Sequence, residues 1–362
     1  MSAPARLLEA LDRQVAWCQQ GASPFSSRVL ARSRAWLAAH DEPLAAVAGV
    51  AEEPLAAAVS LRWLAGLHHL ALLGREPWRS LWPPAVGKVS DGSLDEAVAA
   101  AWYDANAHMR QALARPPQTN EVQRSTALLP GLLHVAVATG LPLALAEIGS
   151  SAGLNLWCDH YRHDHGCWAW GDPAAPLTLR SEWLGPAPPQ ADLRVVQRAG
   201  CDAMPVDLQQ PGEDLRLSSF IWADQPERLA RVRAAITVAR THMAAQGVRV
   251  QRQRAADFVR EQLARRPRGA AWVLMHSVVW QYIDADERAD IRAQMEAAAT
   301  AAMAATAQAP LAWLRFEPPQ PDLRVELRCT VWPGGQDRLL AACHPHGARI
   351  EWQTELADEM AE

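Results

Sequence analysis

The segment that decides the fold is Leu143-Ala144-Leu145-Ala146-Glu147-Ile148-Gly149-Ser150-Ser151-Ala152-Gly153-Leu154-Asn155-Leu156. An apolar run, a turn with two glycines and a second apolar pattern predict a strand, a tight loop and a helix. In open α/β sheets the ligand binds outside the carboxyl ends of the parallel strands, and glycine lets the backbone approach it closely. We therefore expect a ligand site at this turn.

The sequence on either side of this segment has two different patterns. Residues 5–140 carry apolar side chains at helical spacing, whereas short apolar runs alternate with helical segments from residue 141 onward. The second pattern is typical of a mostly parallel sheet wrapped by helices. We predict strands at 143–148, 193–198, 248–251, 271–276 and 311–316, helices at about 153–162, 226–246, 255–265 and 285–306, and an antiparallel hairpin formed by 323–331 and 338–343.

These patterns predict an α/β protein in two domains. A helical N-terminal domain at 1–140 precedes a Rossmann-like, mostly parallel sheet domain at 141–362, which ends in the antiparallel hairpin. The stretch 167–190 is rich in Trp, Pro and Gly and is too long for an ordinary connection of a few residues. We interpret it as an insertion over the ligand site.

Composition and charge indicate an ordinary globular protein. The chain has 362 residues, of which 49% are hydrophobic and 21% charged, and its formal net charge is -5. This charge gives no electrostatic reason to expect nucleic acid or an anionic membrane as a partner. The first residues lack the basic and apolar pattern of an export signal, so we expect a cytoplasmic protein. With nucleic acid and membrane disfavoured, we expect its substrate to be a small molecule. The sequence leaves its oligomeric state open.

Lysine and cysteine usage excludes several classes of site. Lys88 is the only lysine and lies in no Gly-Lys-Ser/Thr context, which argues against a phosphate-binding P-loop and against a Schiff-base enzyme. The six cysteines include no Cys-x-x-Cys pair. Side chains that could bind a metal ion are crowded between Cys158 and Cys167, but their spacing matches no standard zinc signature. We therefore predict no metal site.

The pattern Glu147-x-Gly149-x-x-x-Gly153 resembles the first motif of class I S-adenosylmethionine-dependent methyltransferases. The resemblance implies S-adenosylmethionine as cofactor and a class I methyltransferase-like fold. It places Glu147 near the amino group of the cofactor, and the two glycines beside its methionyl portion. Ser151 and Asn155, in the same segment, complete the predicted cofactor-binding set of this loop.

Two downstream segments continue the resemblance, which covers about 141–345. Gly200-Cys201-Asp202-Ala203-Met204-Pro205 is similar to the end of the family's second strand, so Asp202 would accept hydrogen bonds from the ribose hydroxyls. Asp257 follows the third predicted strand, where the family commonly places an acid or amide against the adenine. Ser150 and Ser151 replace the usual second glycine, and the long loop before Asp202 leaves Asp207 and Asp192 as alternatives.

Four residues are candidates for catalysis. His276 ends the fourth predicted strand, where methyltransferases keep residues that face the substrate, and Tyr282 lies in the same segment. A core histidine is the alternative for His276. Gln118-Thr119-Asn120-Glu121 brings four hydrogen-bonding side chains to a helix start, where capping requires one. We expect Asn120 and Glu121 to line the same cleft as the glycine turn and His276.

A second interpretation of the same turn is a serine hydrolase. Gly149-Ser150-Ser151-Ala152-Gly153 matches the Gly-x-Ser-x-Gly nucleophile elbow, with Asp284 as an acid and His344 or His346 as a base in the right chain order. That fold requires strands before the elbow, whereas residues 5–140 are predicted to be helical. The sequence therefore favours methyl transfer to a small-molecule acceptor. A non-catalytic binding module with the same fold is a third alternative.

The chain as a whole also resembles a bacterial family catalogued as a domain of unknown function. The resemblance rests on the segments 117–125, 147–156 and 276–282. It implies no particular activity.

Overall fold

The computed structural model describes residues 2–83, 89–304, 310–319 and 324–353. The chain divides into two compact units. The first contains Met1–Thr119 and Leu208–Arg233, and the second contains Asn120–Asp207 and Ala234–Glu362. We call them the helical unit and the sheet unit. The sequence predicts a boundary at 140, whereas the observed division falls after Thr119, and residues 208–233 return to the helical unit.

The helices of the described residues are α1 (Ala3–Gln20), α2 (Pro24–Ala38), α3 (Asp41–Ala48), α4 (Val59–Leu72), α5 (Trp78–Leu81), α6 (Asp91–Tyr103), α7 (Asn106–Ala114), α8 (Ser125–Thr139), α9 (Glu213–Ser219), α10 (Pro226–Gln246), α11 (Ala255–Ala264) and α12 (Ala285–Ala304). Short 3-10 helices occupy Val122–Arg124, Leu154–His160 and Trp280–Tyr282. The chain before residue 120 is thus helical where it is described, as predicted. Helix α10 begins in the helical unit and ends in the sheet unit.

Apolar side chains at helical spacing form the core of the helical unit. Leu11, Leu30, Leu67 and Trp63 are buried there at the contacts between helices. Ser2 caps α1 by accepting a hydrogen bond from the backbone N–H of Ala5.

The strands are β1 (Leu143–Ile148), β2 (Arg162–Asp164), β3 (Ala169–Trp170), β4 (Thr178–Leu179), β5 (Glu182–Leu184), β6 (Val195–Asp202), β7 (Val250–Arg252), β8 (Ala271–Ser277), β9 (Leu311–Glu317), β10 (Val325–Trp332), β11 (Asp337–Cys343) and β12 (Arg349–Trp352). The nine-stranded sheet has the order β5-β12-β11-β10-β9-β8-β1-β6-β7. Strands β7, β6, β1, β8 and β9 are mutually parallel, and β10 pairs antiparallel with both β9 and β11. The α/β class, the mostly parallel sheet and the closing hairpin are therefore confirmed.

Helices cover both faces of the parallel strands, which explains why β1 is buried along its whole length. On one face, Ala146 of β1 and Leu274 of β8 pack with Phe258 of α11. On the other face, α8 approaches β9 so closely that a Cβ on Gly131 would lie 2.6 Å from the Leu314 side chain. Helix α8 therefore belongs to the core of the sheet unit.

The segment between β1 and β6 differs from a simple helical crossover. After the glycine turn (residues 149–153), the predicted helix is a 3-10 helix, and β2, β3 and β4 form a separate small sheet. Strand β5 then pairs with β12 at the far edge of the main sheet. The predicted insertion 167–190 is thus partly ordered by strand pairing. In the described residues, no helix is long and apolar enough to cross a membrane.

Candidate functional site

The glycine turn is held in a tight conformation at the carboxyl end of β1. Its backbone enters the left-handed region at Gly149 (φ +66°), Ser151 (φ +55°) and Gly153 (φ +75°). The backbone N–H of Ser150 donates to the carbonyl of Cys201 at 2.9 Å, which fixes the turn to the end of β6. The left-handed conformation requires glycine or costs strain, so the strain at Ser151 marks this turn as a specialised structure.

Protein side chains fill the space beside both glycines of the turn. A Cβ on Gly149 would lie 2.3 Å from Cγ2 of Val279, and a Cβ on Gly153 would lie 2.7 Å from Cε of Met243. The resemblance implied that this space belongs to the methionyl portion of a cofactor. In the structure, the glycines instead allow the turn to pack against its own neighbours.

Glu147 is the most unusual ionisable group at the turn. Its side chain points from the last part of β1 into the interior, and the residue is only 2% exposed. Oε2 is buried and has no hydrogen-bond partner among the described residues. Burial raises the pKa of Glu147 to about 8. A hydrogen bond with Ser150 and the charge of Arg124 oppose this shift, while the charge of Asp202 adds to it. A buried carboxyl with an unused oxygen is suited to receive a cationic group of a ligand.

Asp202 lies at the carboxyl end of β6, next to the turn. Its Oδ2 accepts a hydrogen bond from the backbone N–H of Ser151 at 2.9 Å, and its Oδ1 accepts one from the N–H of Met204 at 2.8 Å. The carboxylate therefore holds the strained residue of the turn in place. Each of its oxygens has a second lone pair, so these bonds do not exhaust its capacity as an acceptor. The alternative Asp192 precedes the amino end of β6 and is exposed to solvent.

Asn120 and Glu121 are buried beside the glycine turn. Oδ1 of Asn120 accepts the backbone N–H of Leu154, the first residue after the turn, at 2.9 Å. Glu121 caps the first 3-10 helix, and its Oε1 accepts the N–H of Gln123 at 3.3 Å. Asn120 thus contacts the residue that follows the turn, whereas the expectation that Asn120 and Glu121 line a ligand cleft with His276 stays a prediction.

Gln123 and Arg124, slightly further along the chain, connect this segment to other parts of the structure. Nη1 of Arg124 donates to the carbonyl of Ser277 at the end of β8, at 3.0 Å, and Nε donates to the carbonyl of Pro345 at 3.1 Å. Nε2 of Gln123 donates to the carbonyl of Arg180 in the insertion. The segment 120–124 thus connects the turn, the end of β8 and the insertion.

His276 is buried with both ring nitrogens engaged. Nδ1 lies 2.6 Å from Oε1 of Glu317, and Nε2 accepts the indole N–H of Trp313 at 3.0 Å. Because the indole can only donate, the proton of a neutral ring resides on Nδ1. Trp280 stacks on the imidazole with the ring centroids 5.1 Å apart. This is the geometry of a core histidine, the alternative that the sequence leaves open, and it gives no support to His276 as a base.

The remaining predicted residues have other surroundings. Asn155 is buried in the second 3-10 helix, where its Oδ1 accepts the hydroxyl of Ser125 at 2.9 Å. Asp257, in the first turn of α11, is half exposed and pairs with Arg260 at 2.8 Å. Tyr282 is 71% exposed. Their predicted roles stay predictions.

Sequence reasoning missed Glu317 as the residue that organises the end of β8. Oε1 of Glu317 also accepts the backbone N–H groups of Val279 and Trp280, at 3.0 and 3.3 Å. The available signal was an acidic residue at the end of a buried strand, immediately before two prolines.

The sequence also shows no sign of a buried ion pair that joins the segment between Cys158 and Cys167 to β6. Arg198 of β6, whose side chain is 4% exposed, contacts Asp159 at 2.6 Å and lies over the ring of Trp157. Among the described residues, no group of three or more His, Cys, Asp or Glu side chains is arranged to hold a metal ion.

Comparison with known protein families matches residues 8–352 to the family described as "Uncharacterized protein conserved in bacteria (DUF2332)". The chain belongs to this family. No curated protein and no solved structure matches it significantly. The family assignment agrees with the resemblance given by the segments 117–125, 147–156 and 276–282, all three of which contribute residues at or beside the glycine turn.

Proposed function

We propose that the sheet unit binds S-adenosylmethionine at the carboxyl edge of its parallel strands and transfers the methyl group to a small-molecule acceptor. The strand order supports a Rossmann-like sheet. Counted along the chain, the parallel strands are β1, β6, β7, β8 and β9, whereas across the sheet they run β7-β6-β1-β8-β9. The order reverses between β1 and β8, and ligands of open α/β sheets bind at such a switch point.

The observation that carries the proposal is the buried carboxyl oxygen of Glu147 at this switch point, Oε2, which has no hydrogen-bond partner among the described residues. An unpaired buried acceptor is costly, and a cationic ligand would compensate for it. S-adenosylmethionine carries an ammonium and a sulfonium group, so the charge of Glu147 suits this cofactor, although Val279 and Met243 fill the space beside the two glycines. In the proposed complex, Glu147 receives the ammonium group and Asp202 accepts the ribose hydroxyls.

The bound cofactor supplies an activated methyl group, and the protein has to position the acceptor and exclude water. Glu121 is the candidate for holding the acceptor, because its carboxyl is buried and belongs to the segment that contacts the turn. In this role it orients the acceptor hydroxyl or amine, or removes its proton. We do not assign this step to His276, since Glu317 and Trp313 already occupy its ring nitrogens.

Calorimetry with S-adenosylmethionine and with its demethylated product tests the proposal directly. Binding of both compounds, with methyl release in an acceptor screen, would support a methyltransferase. Binding without methyl release across the screen would favour a non-catalytic module. Absence of binding would refute the assignment of this cofactor.

Asp202→Asn should weaken S-adenosylmethionine binding by about tenfold to a hundredfold, because it removes a charged acceptor of the ribose hydroxyls. Asparagine retains one acceptor for the backbone of the turn, so the fold is perturbed less than by alanine. Asp192→Asn is the matched control, since its exposed side chain precedes the amino end of β6. Equal affinities of the two variants would contradict the role of Asp202.

One observation favours the hydrolase as a second candidate. Ser151 has a positive φ of 55°, and a strained serine in a strand-turn-helix segment is typical of a nucleophile elbow. However, its Oγ is buried and has no hydrogen-bond partner among the described residues, so no imidazole contacts it. Strands are also absent from the described residues that precede β1.

Ser151→Ala should therefore leave methyl transfer within about threefold of the wild-type rate, since the side chain makes no bond that the reaction needs. A fluorophosphonate probe provides the complementary test. Labelling of the wild-type protein that Ser151→Ala abolishes would establish the hydrolase instead.

A further inference from the structure

A cavity of about 300 Å³ lies within the helical unit, separate from the residues of the proposed methyl-transfer site. It is bounded by α4, α7 and α9, and its volume is at the lower end of the range for small-molecule sites. Its ionisable lining consists of Arg62, His69, His108, Arg115, Glu213 and Arg216. Three guanidinium groups thus face one carboxylate.

The one carboxylate of the lining is already used by two of the arginines. Glu213 binds Arg216 through both of its oxygens, with Nε at 3.1 and 3.0 Å, and it contacts Nη1 of Arg115 at 3.4 Å. The cavity therefore retains an excess of positive charge.

Arg62 is the arginine of the lining to which the described residues offer no carboxylate partner. Its Nη1 donates to the backbone carbonyl of Leu113 at 3.0 Å, while its Nε is buried and has no partner among the described residues. Burial lowers the pKa of this guanidinium, which shows that its charge is poorly solvated. An oxyanion within reach of Nε would compensate this cost.

The two histidines add hydrogen-bonding capacity. Their ring centroids are 5.1 Å apart, and Nε2 of His69 is buried without a partner among the described residues. Nε2 of His108 donates to the carbonyl of Gly66 at 3.1 Å. Burial lowers the pKa of His69 to about 4, and His108, Arg216 and His68 lower it further while Glu213 opposes them. Burial also lowers the pKa of His108. Burial thus favours the neutral form of both rings, in which a ring N–H donates a hydrogen bond without adding charge.

We infer that this cavity binds a small organic anion, with a carboxylate or phosphate group held by Arg62 and the imidazole of His69. Leu73 and Phe220 provide apolar lining for the rest of the molecule. Arginine suits this role because its planar group presents several donors to an oxyanion at once. The inference is independent of the proposed methyl transfer, because the residues that carry it belong to the helical unit.

Calorimetric titrations with phenyl phosphate and with benzoate, at constant ionic strength, test the inference and distinguish the two head groups. Arg62→Gln should weaken binding of the preferred anion at least tenfold, because it removes a charge-assisted hydrogen bond. Arg13→Gln is the matched control, since Arg13 is exposed on α1 and pairs with Glu9. It makes the same change in net charge and should bind as the wild type does.

A measurement on the wild-type protein avoids any dependence on the stability of a variant. The imidazole NMR signals of His69 and His108 should shift on addition of the preferred anion, while those of His344 and His346 in the sheet unit should not. Unchanged signals of His69 and His108 at millimolar phenyl phosphate and benzoate would overturn the inference. Equal affinity of Arg62→Gln and Arg13→Gln would do so as well.

Discussion

Replacing Glu147 with Gln should abolish a loss of stability that the wild-type protein suffers between pH 5 and pH 8. Burial raises the pKa of Glu147 from 4.5 to about 8. Between these two values the native protein holds a proton that the unfolded chain has released, so stability falls as the pH rises. The loss over this range amounts to roughly 3 to 4 kcal/mol. Gln has the same shape and does not titrate.

Urea unfolding of both proteins at several pH values measures this effect as a difference in free energy of unfolding. Glu182→Gln is the matched control, because that carboxylate is 59% exposed at the edge of the sheet. The control should follow the pH dependence of the wild type. Parallel curves for Glu147→Gln and the wild type would show that Glu147 is not protonated in the native state.

The protonated carboxyl of Glu147 also affects the expected binding of S-adenosylmethionine. At pH 7 the carboxyl of Glu147 is mostly protonated, and it must ionise to pair with an ammonium group. Binding of S-adenosylmethionine should therefore release close to one proton, which calorimetry detects by comparing buffers of different ionisation enthalpy. Glu147→Gln should release none and bind at least tenfold more weakly. A residue that costs stability and supplies affinity has the thermodynamic character of a functional group.

The regular part of the fold could be predicted because its signals are local. The predicted strand 143–148 and helix 226–246 coincide with β1 and α10, since apolar periodicity and flanking turn residues define them within the segment itself. The predicted strands 193–198 and 248–251 begin two residues before β6 and β7, and the first of them ends four residues too early.

The short strands could not be predicted. Strand β5 has three residues and β12 has four, which is too short for an alternating pattern to stand out. Their pairing joins residues 182–184 to residues 349–351, so it depends on contacts between distant parts of the chain. Helix α8 was assigned to the helical domain because it is helical. Its burial on nearly all sides indicates a helix within a core, but a single sequence does not say which core.

The sequence predicts where the site residues lie better than it predicts which residues they bind or pack against. Glu147 and Asp202 follow strands, and the carboxyl ends of parallel strands meet at one edge. That Glu317 would engage His276 depends on the register of β8 against β9, which the sequence does not reveal. For the same reason, the packing of Val279 against Gly149 was not foreseen, and the glycine was interpreted as room for a ligand.

Gly149→Ala should destabilise the sheet unit by about 3 kcal/mol, for two separable reasons. Alanine at a φ of +66° costs about 1 kcal/mol in backbone strain. The new Cβ would also lie 2.3 Å from Cγ2 and 2.7 Å from Cβ of Val279, and such overpacking typically costs another 1 to 3 kcal/mol, roughly. Urea unfolding measures the sum.

Gly140→Ala isolates the first contribution, because Gly140 has a φ of +64° and nothing within 4 Å of the position of a Cβ. The double variant Gly149→Ala with Val279→Gly isolates the second, since it removes the side chain that the new methyl group meets. We expect a coupling free energy of about 1 to 2 kcal/mol between these two positions. If Gly149→Ala costs no more than Gly140→Ala, Val279 moves aside easily. The space beside Gly149 would then be available to a ligand, as the resemblance to methyltransferases implied.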